Sequence, residues 1–123
     1  MKTGALCTVR DIYRLIREFE EYFQQKHDLC LNEGMLLCSL KEGKLSSTAL
    51  ADALGLTTSN TSKVIKSVEQ KKFIKRILGK EDKRQMYFTL TELGKEKLIK
   101  IREEEGEMTG FLNKIGEIAG TDD

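Results

Sequence analysis

Between Thr8 and about Lys26 apolar residues return every three or four positions, at Val9, Ile12, Tyr13, Ile16, Phe19 and Phe23. That period predicts an amphipathic helix. Leu15 and Tyr22 widen its apolar surface beyond what one face of a small core uses. The next stretch, "LNEGMLLCSLKEG", offers Asn32 as an N-cap and then a short, nearly all-apolar helix ending by Gly43, which reads as central and buried. In "LSSTALADALGLTTSNTSKVIKSVEQKK", Ser46 caps a short helix with an inner face of Ala49, Leu50, Ala53 and Leu54. Gly55 suits the left-handed position that ends it, and Thr57 or Thr58 caps a second helix that turns Val64, Ile65 and Val68 inward. Two short helices, a glycine turn and small polar residues opening the second helix predict a helix-turn-helix.

After Lys72 the period changes. "FIKRIL" and "MYFTL" read as two strands joined by "GKEDKRQ", a hairpin with Gly79 in its loop. A helix-turn-helix followed at once by a hairpin predicts a winged helix. In that arrangement the second helix enters a DNA major groove and the hairpin tip reaches the flanking minor groove, whose narrow, negative floor favours Arg. From Thr91, the expected cap, a long helix carries Leu98, Ile101, Met108, Phe111, Leu112, Ile115 and Ile118, with "EEEG" at 103–106 and Gly110 as points of kinking or breakage. Its length, with the apolar excess of the first helix, points to a dimer interface made by both ends of the chain. The alternative is a helix that packs back on its own protomer.

Composition sharpens this picture in one place. Charged residues make up 33% of the 123, hydrophobic ones 39%, and Pro and Trp are absent, which suits a single helix-rich, soluble domain. No apolar run is long enough for a membrane span and the start lacks a signal-peptide core, so a cytoplasmic protein without a membrane partner is expected. Net charge is only +1, but residues 60–84 hold nine Lys or Arg against three acids, whereas 92–123 hold five against nine. The basic block contains the second helix and the hairpin, an electrostatic footprint suited to phosphate. A Lys-rich solvated face and a bland charged turn are the competing explanations.

The run Arg76, then Asp82-Lys83-Arg84, then Leu90-Thr91-Glu92-Leu93-Gly94 resembles the wing pattern of the MarR (multiple antibiotic resistance) transcriptional regulators. That pattern has an Arg closing the first strand, D-x-R at the tip and L-T-x-x-G opening the long helix. "LADALGLTTSNTSKVIKSVEQKKFIKR" also fits the family's helix-turn-helix spacing, and Lys72 departs from it by standing where Gly is common. The resemblance implies a mainly α fold with a small β-hairpin wing. Its winged helix-turn-helix core would span 32–92, flanked by dimerisation helices at 8–30 and 95–119 of one MarR-type domain.

By position, the resemblance further implies a homodimer on a palindromic double-stranded DNA operator, probed by Ser59, Asn60, Thr61 and Lys63, with Lys66 one turn further from the groove. The caps Ser46 and Thr57 join the candidate set. At the tip Arg84 would enter the minor groove, aimed by Asp82 through a charge-assisted bond, while Lys80 and Lys83 grip phosphates. A small aromatic or anionic effector would relieve repression.

Three cysteines without a C-x-x-C pair indicate neither a disulfide framework nor a zinc knuckle. Cys7 opens the first helix with Arg10 one turn on, and some peroxide-sensing members of the MarR family carry a reactive Cys near there. Cys30 and Cys38 read as core. His27 and Cys30 have chelate spacing, but no third or fourth ligand is evident, so no metal and no cofactor are expected. No nucleophile–base pair, carboxylate dyad or phosphate-cradling glycine loop appears, which argues against an enzyme. The remaining alternative is a winged-helix module for protein association without specific DNA binding.

Overall fold

The computed structural model describes residues 4–81 and 84–120. Helices α1 (Ala5–His27) and α2 (Leu31–Ser39) precede a two-residue strand β1 (Leu45–Ser46). Helices α3 (Ser47–Leu54) and α4 (Thr58–Gln70) lead into strands β2 (Ile74–Leu78) and β3 (Met86–Leu90). Helices α5 (Glu92–Glu103) and α6 (Glu105–Gly120) complete the order. The chain divides into two compact units, one formed by the residues up to Cys30 with those from Ile101, the other by Leu31–Lys100.

The Leu31–Lys100 unit is a winged helix-turn-helix. Leu36, Leu37, Leu50 and Val68 are wholly enclosed, and Leu40, Ile65, Ile74, Phe88 and Leu90 complete one apolar core. Its sheet is antiparallel in the order β1-β3-β2, with Ile74 opposite Leu90 and Leu78 opposite Met86. Strand β1 pairs Leu45 with Phe88 and Ser46 with Tyr87. Two residues are too few to show a period-2 pattern, which is why the sequence predicts only the hairpin.

Both helices of the helix-turn-helix start and stop through local chemistry. Ser46 Oγ accepts from Ala49 N at 3.1 Å and Thr57 Oγ1 from Asn60 N at 3.1 Å, so both expected caps are present. Each helix ends in a Schellman motif. At the first, Leu56 N donates to Ala51 O (3.0 Å) and Gly55 N to Asp52 O (3.2 Å), with Gly55 at φ +67°. At the second, Phe73 N donates to Val68 O (3.2 Å) and Lys72 N to Glu69 O (2.9 Å), with Lys72 also at φ +67°. Lys72 therefore takes the left-handed conformation that a glycine would adopt without steric cost.

The next corner is tied more tightly still. Thr91 N donates to Phe73 O (3.0 Å), Thr91 Oγ1 donates to Lys72 O (2.7 Å), and the same hydroxyl accepts from Gly94 N (3.0 Å). The start of α5 thus lies directly on the carbonyls that follow α4. A Cβ at Gly94 would sit 2.0 Å from Phe73 O, so only glycine fits.

Several expectations are corrected. Helix α2 begins at Leu31, which places Asn32 inside the first turn rather than at the cap. It is buried on most sides, yet Met35 and Cys38 are exposed, so Cys38 is not core; Cys30 is half-buried. The inner face of α3 includes Ala51, while Ala53 is exposed. The C-terminal helix, by contrast, breaks at Glu104 between α5 and α6, within the "EEEG" stretch expected to interrupt it, and Glu104 N donates to Ile101 O at 3.2 Å.

In the other unit Phe23, His27, Leu29 and Ile101 are buried, and Phe19 of α1 stacks on Phe111 of α6 with ring centroids 4.3 Å apart. Helix α1 keeps an unburied apolar stripe at Leu6, Val9, Tyr13 and Ile16, from 39% to 82% exposed. Among the described residues no helix is long and apolar enough to cross a membrane.

Replacing Gly94 by Ala forces the Phe73 backbone to move and is expected to cost stability near the top of the ~1–3 kcal/mol range for overpacking. Lys72→Gly relieves a left-handed side chain and is expected to raise stability by about 0.5–1 kcal/mol. Urea unfolding of both variants checks the pair, which should shift in opposite directions.

Candidate nucleic-acid interface

Helix α4 has 3.6 residues per turn, so Thr61, Ile65 and Val68 share one face, and all three are buried. Ser59, Ser62, Lys63 and Lys66 share the opposite face and are exposed, as are Thr58 and Asn60 near the helix start. The result is a helix with an apolar back and a front of short hydroxyls and two lysines. Such a front can donate to base edges and phosphates without steric obstruction.

Not every expected residue is on that front. Thr61 is 1% exposed, and its hydroxyl donates to Thr57 O at 2.7 Å inside the helix. Its expected place facing DNA is corrected: residue type suggested a contact, but the i, i+4, i+7 register with Ile65 and Val68 puts it in the core. Ser62, passed over in the sequence, takes its place on the exposed face. The same register was the signal that could have found it. Ser46 is half-buried in β1 with its oxygen engaged in capping α3, so it serves the start of that helix. Thr57 is exposed while it caps α4.

The wing is joined to the end of α4 by a two-pronged ion pair. Arg76 Nε donates to Glu69 Oε2 at 2.7 Å and Arg76 Nη2 to Glu69 Oε1 at 3.0 Å. Hydrogen bonding to Glu69, and then its charge, holds the Arg76 guanidinium above its ordinary pKa. The same guanidinium carbon lies 5.5 Å from the centroid of the Phe88 ring across the hairpin. Arg76 stands in the middle of β2 rather than closing it, opposite Phe88.

At the tip Gly79 N donates to Gln85 O at 2.8 Å, and Lys80, Glu81 and Arg84 are exposed. Asp82 and Lys83, the residues expected to aim Arg84 and grip phosphate, lie outside the described residues.

The remaining candidates belong to the other unit. Cys7 is half-buried in the first turn of α1, and its N donates to Gly4 O at 3.0 Å. Nearby Arg10 places both Nε and Nη2 3.0 Å from Asp11 Oδ1, and this bonding raises its pKa. The cation expected to favour a Cys7 thiolate is thus engaged first by Asp11. His27 is buried, with Nε2 3.4 Å from Glu104 Oε2. Among the described residues no group of three or more His, Cys, Asp or Glu is arranged to hold a metal ion.

A double-mutant cycle on Glu69→Ala and Arg76→Ala, read by thermal unfolding, should give a coupling of about 0.5–1 kcal/mol, modest because the pair is partly exposed. Strict additivity would mean that the clasp does not hold the wing to α4.

Comparison with known proteins agrees with this geometry. Residues 29–86 match the model of the MarR family. The HTH-type transcriptional regulator SarZ of Staphylococcus haemolyticus (strain JCSC1435) is 31% identical over 74 residues, 59% of this chain. The matched segment spans 50% of that relative. Among solved structures, the S. aureus MepR–DNA complex superposes with a TM-score of 0.78 at 22% identity, covering 92% of this chain and 85% of MepR. AbsC, a MarR family transcriptional regulator from Streptomyces coelicolor, gives 0.77 at 24% identity, covering 90% and 75%. The MarR family match thus runs from just before α2 through β2, taking in the whole helix-turn-helix and the Glu69–Arg76 clasp.

Proposed function

We propose that the chain is a sequence-specific DNA-binding transcriptional regulator, a repressor that acts as a homodimer on a palindromic operator. The observation that carries this reading is the division of α4 into a buried back (Thr61, Ile65, Val68) and an exposed front (Ser59, Ser62, Lys63, Lys66). An ordinary solvated face is also polar, but short hydroxyls set beside two lysines let the helix backbone approach DNA closely. Base edges in a major groove are reached by residues of this kind on one helical face.

In this reading the exposed Arg84 of the wing enters the adjacent minor groove, and Lys80 and Lys83 neutralise phosphates. Of the relatives, the MepR structure is of a DNA complex, which supports the same partner here. The homodimer rests on the exposed apolar stripe Leu6, Val9, Tyr13 and Ile16 of α1 and on Leu112 of α6, 62% exposed. Two such helices from each of two protomers would remove that surface from water. Half-sites would then lie about one turn of DNA, ~34 Å, apart. A small aromatic or anionic ligand, or oxidation of Cys7, would release the operator.

Operator affinity should fall steeply with salt, with a log–log slope of about −0.9 for each phosphate neutralised. Arg84→Ala should weaken the best operator by roughly 1–3 kcal/mol, whereas Thr61→Val, buried on the back of α4, should leave its affinity unchanged. Fluorescence anisotropy on duplexes selected from genomic fragments measures all three. A flat salt response with full affinity for Arg84→Ala would instead favour a protein-association module. For the redox arm, peroxide should release DNA from wild type and not from Cys7→Ser; equal release in both excludes Cys7 as the sensor.

A further inference from the structure

We propose that Glu33 is a positioning residue for operator recognition, fixing the rotation of α4 from one flank; this rests on the DNA-binding function proposed above. Glu33 lies in the first turn of α2 and is only 4% exposed. A carboxylate at that depth is tolerated only with hydrogen-bonding partners. Its Oε2 accepts from Ser67 Oγ at 2.6 Å, and its Oε1 accepts from Lys71 Nζ at 3.1 Å. Ser67 lies in the last turn of α4 and Lys71 is its C-cap, so the two oxygens of a single carboxylate hold the C-terminal end of that helix.

The position of these partners gives the contact its purpose. At roughly 100° per residue, Ser67 and Glu69 lie about 160° apart around the α4 axis. Glu33 therefore holds one flank of α4, while the Glu69–Arg76 clasp holds the other. The exposed front of Ser59, Ser62, Lys63 and Lys66 lies between the two. Apolar packing behind α4 is non-directional and tolerates a small roll of the helix. Directional bonds on both flanks do not. Base readout depends on that roll, because it decides which side chains meet which base edges, whereas phosphate attraction depends mainly on charge.

This separation makes the proposal testable by sign. Glu33→Gln removes a negative charge beside α4, so electrostatics alone would tighten binding to any DNA. Loss of positioning would instead weaken operator binding. Full-length wild type, Glu33→Gln, Ser67→Ala and the double variant are titrated into a selected operator and into a scrambled duplex of equal length, across a salt series.

The expected result for Glu33→Gln is an operator affinity about tenfold lower, corresponding to one charge-assisted bond. Scrambled-duplex affinity should be equal or higher and the salt slope unchanged. Ser67→Ala should move the operator affinity the same way by a smaller factor, and the double variant should lose less than the product of the two. Ser67→Ala decides alone if Glu33→Gln does not fold. Undiminished operator affinity, or an equal fall on operator and scrambled duplex, overturns the positioning role. A wild type that does not distinguish the two duplexes removes the DNA-binding function itself, and the proposal with it.

Discussion

The carbonyls of Lys72 and Phe73 are the point on which the wing depends. They follow directly from the end of α4, and both are bonded by Thr91, the cap of α5. A strand, a hairpin and a return strand are thus enclosed between two residues and the threonine that binds them. The geometry requires two local concessions. Lys72 adopts a left-handed backbone that its side chain disfavours, and Gly94 gives up a side chain so that α5 can lie on the Phe73 carbonyl. Each is small alone, but together they set where the hairpin leaves the core. They explain in physical terms why Thr and Gly stand three residues apart at the start of α5.

Directional polar contacts then act where apolar packing cannot. Burial of Leu36, Leu37, Leu50 and Val68 supplies the non-directional part of the stability of this unit. It leaves the rotation of α4 loosely defined. Glu33 with Ser67 and Lys71, and Arg76 with Glu69, add contacts whose strength depends on angle and distance. A recognition surface needs this second kind, since affinity for phosphate survives a small misrotation and readout of bases does not.

Local chemistry was the legible part of the sequence. Ser46, Thr57, Gly55 and Thr91 were identifiable because caps and left-handed turns are decided within four residues. Features decided across the fold were not. Thr61 reads as a contact by type and is buried by register, and Ala51 and Ala53 exchange places because alanine carries too little hydrophobic signal to fix a helix face. Nothing local marks Glu33, since its partners lie 34 and 38 positions away. Strand β1 exists only because β3 offers it an edge. The break at Glu104 was legible, since it falls in the acidic run that interrupts the apolar stripe.

In the proposed function α4 and the wing read one DNA site together, α4 from the major groove and Arg84 from the minor groove beside it. Dimethyl sulfate footprinting of a selected operator tests both at once, because it methylates guanine N7 in the major groove and adenine N3 in the minor groove. Guanines within each half-site and adenines immediately outside it should be protected, the outer protection alone being lost in Arg84→Ala. Protected guanines with flanking adenines as reactive as in free DNA would contradict that reading.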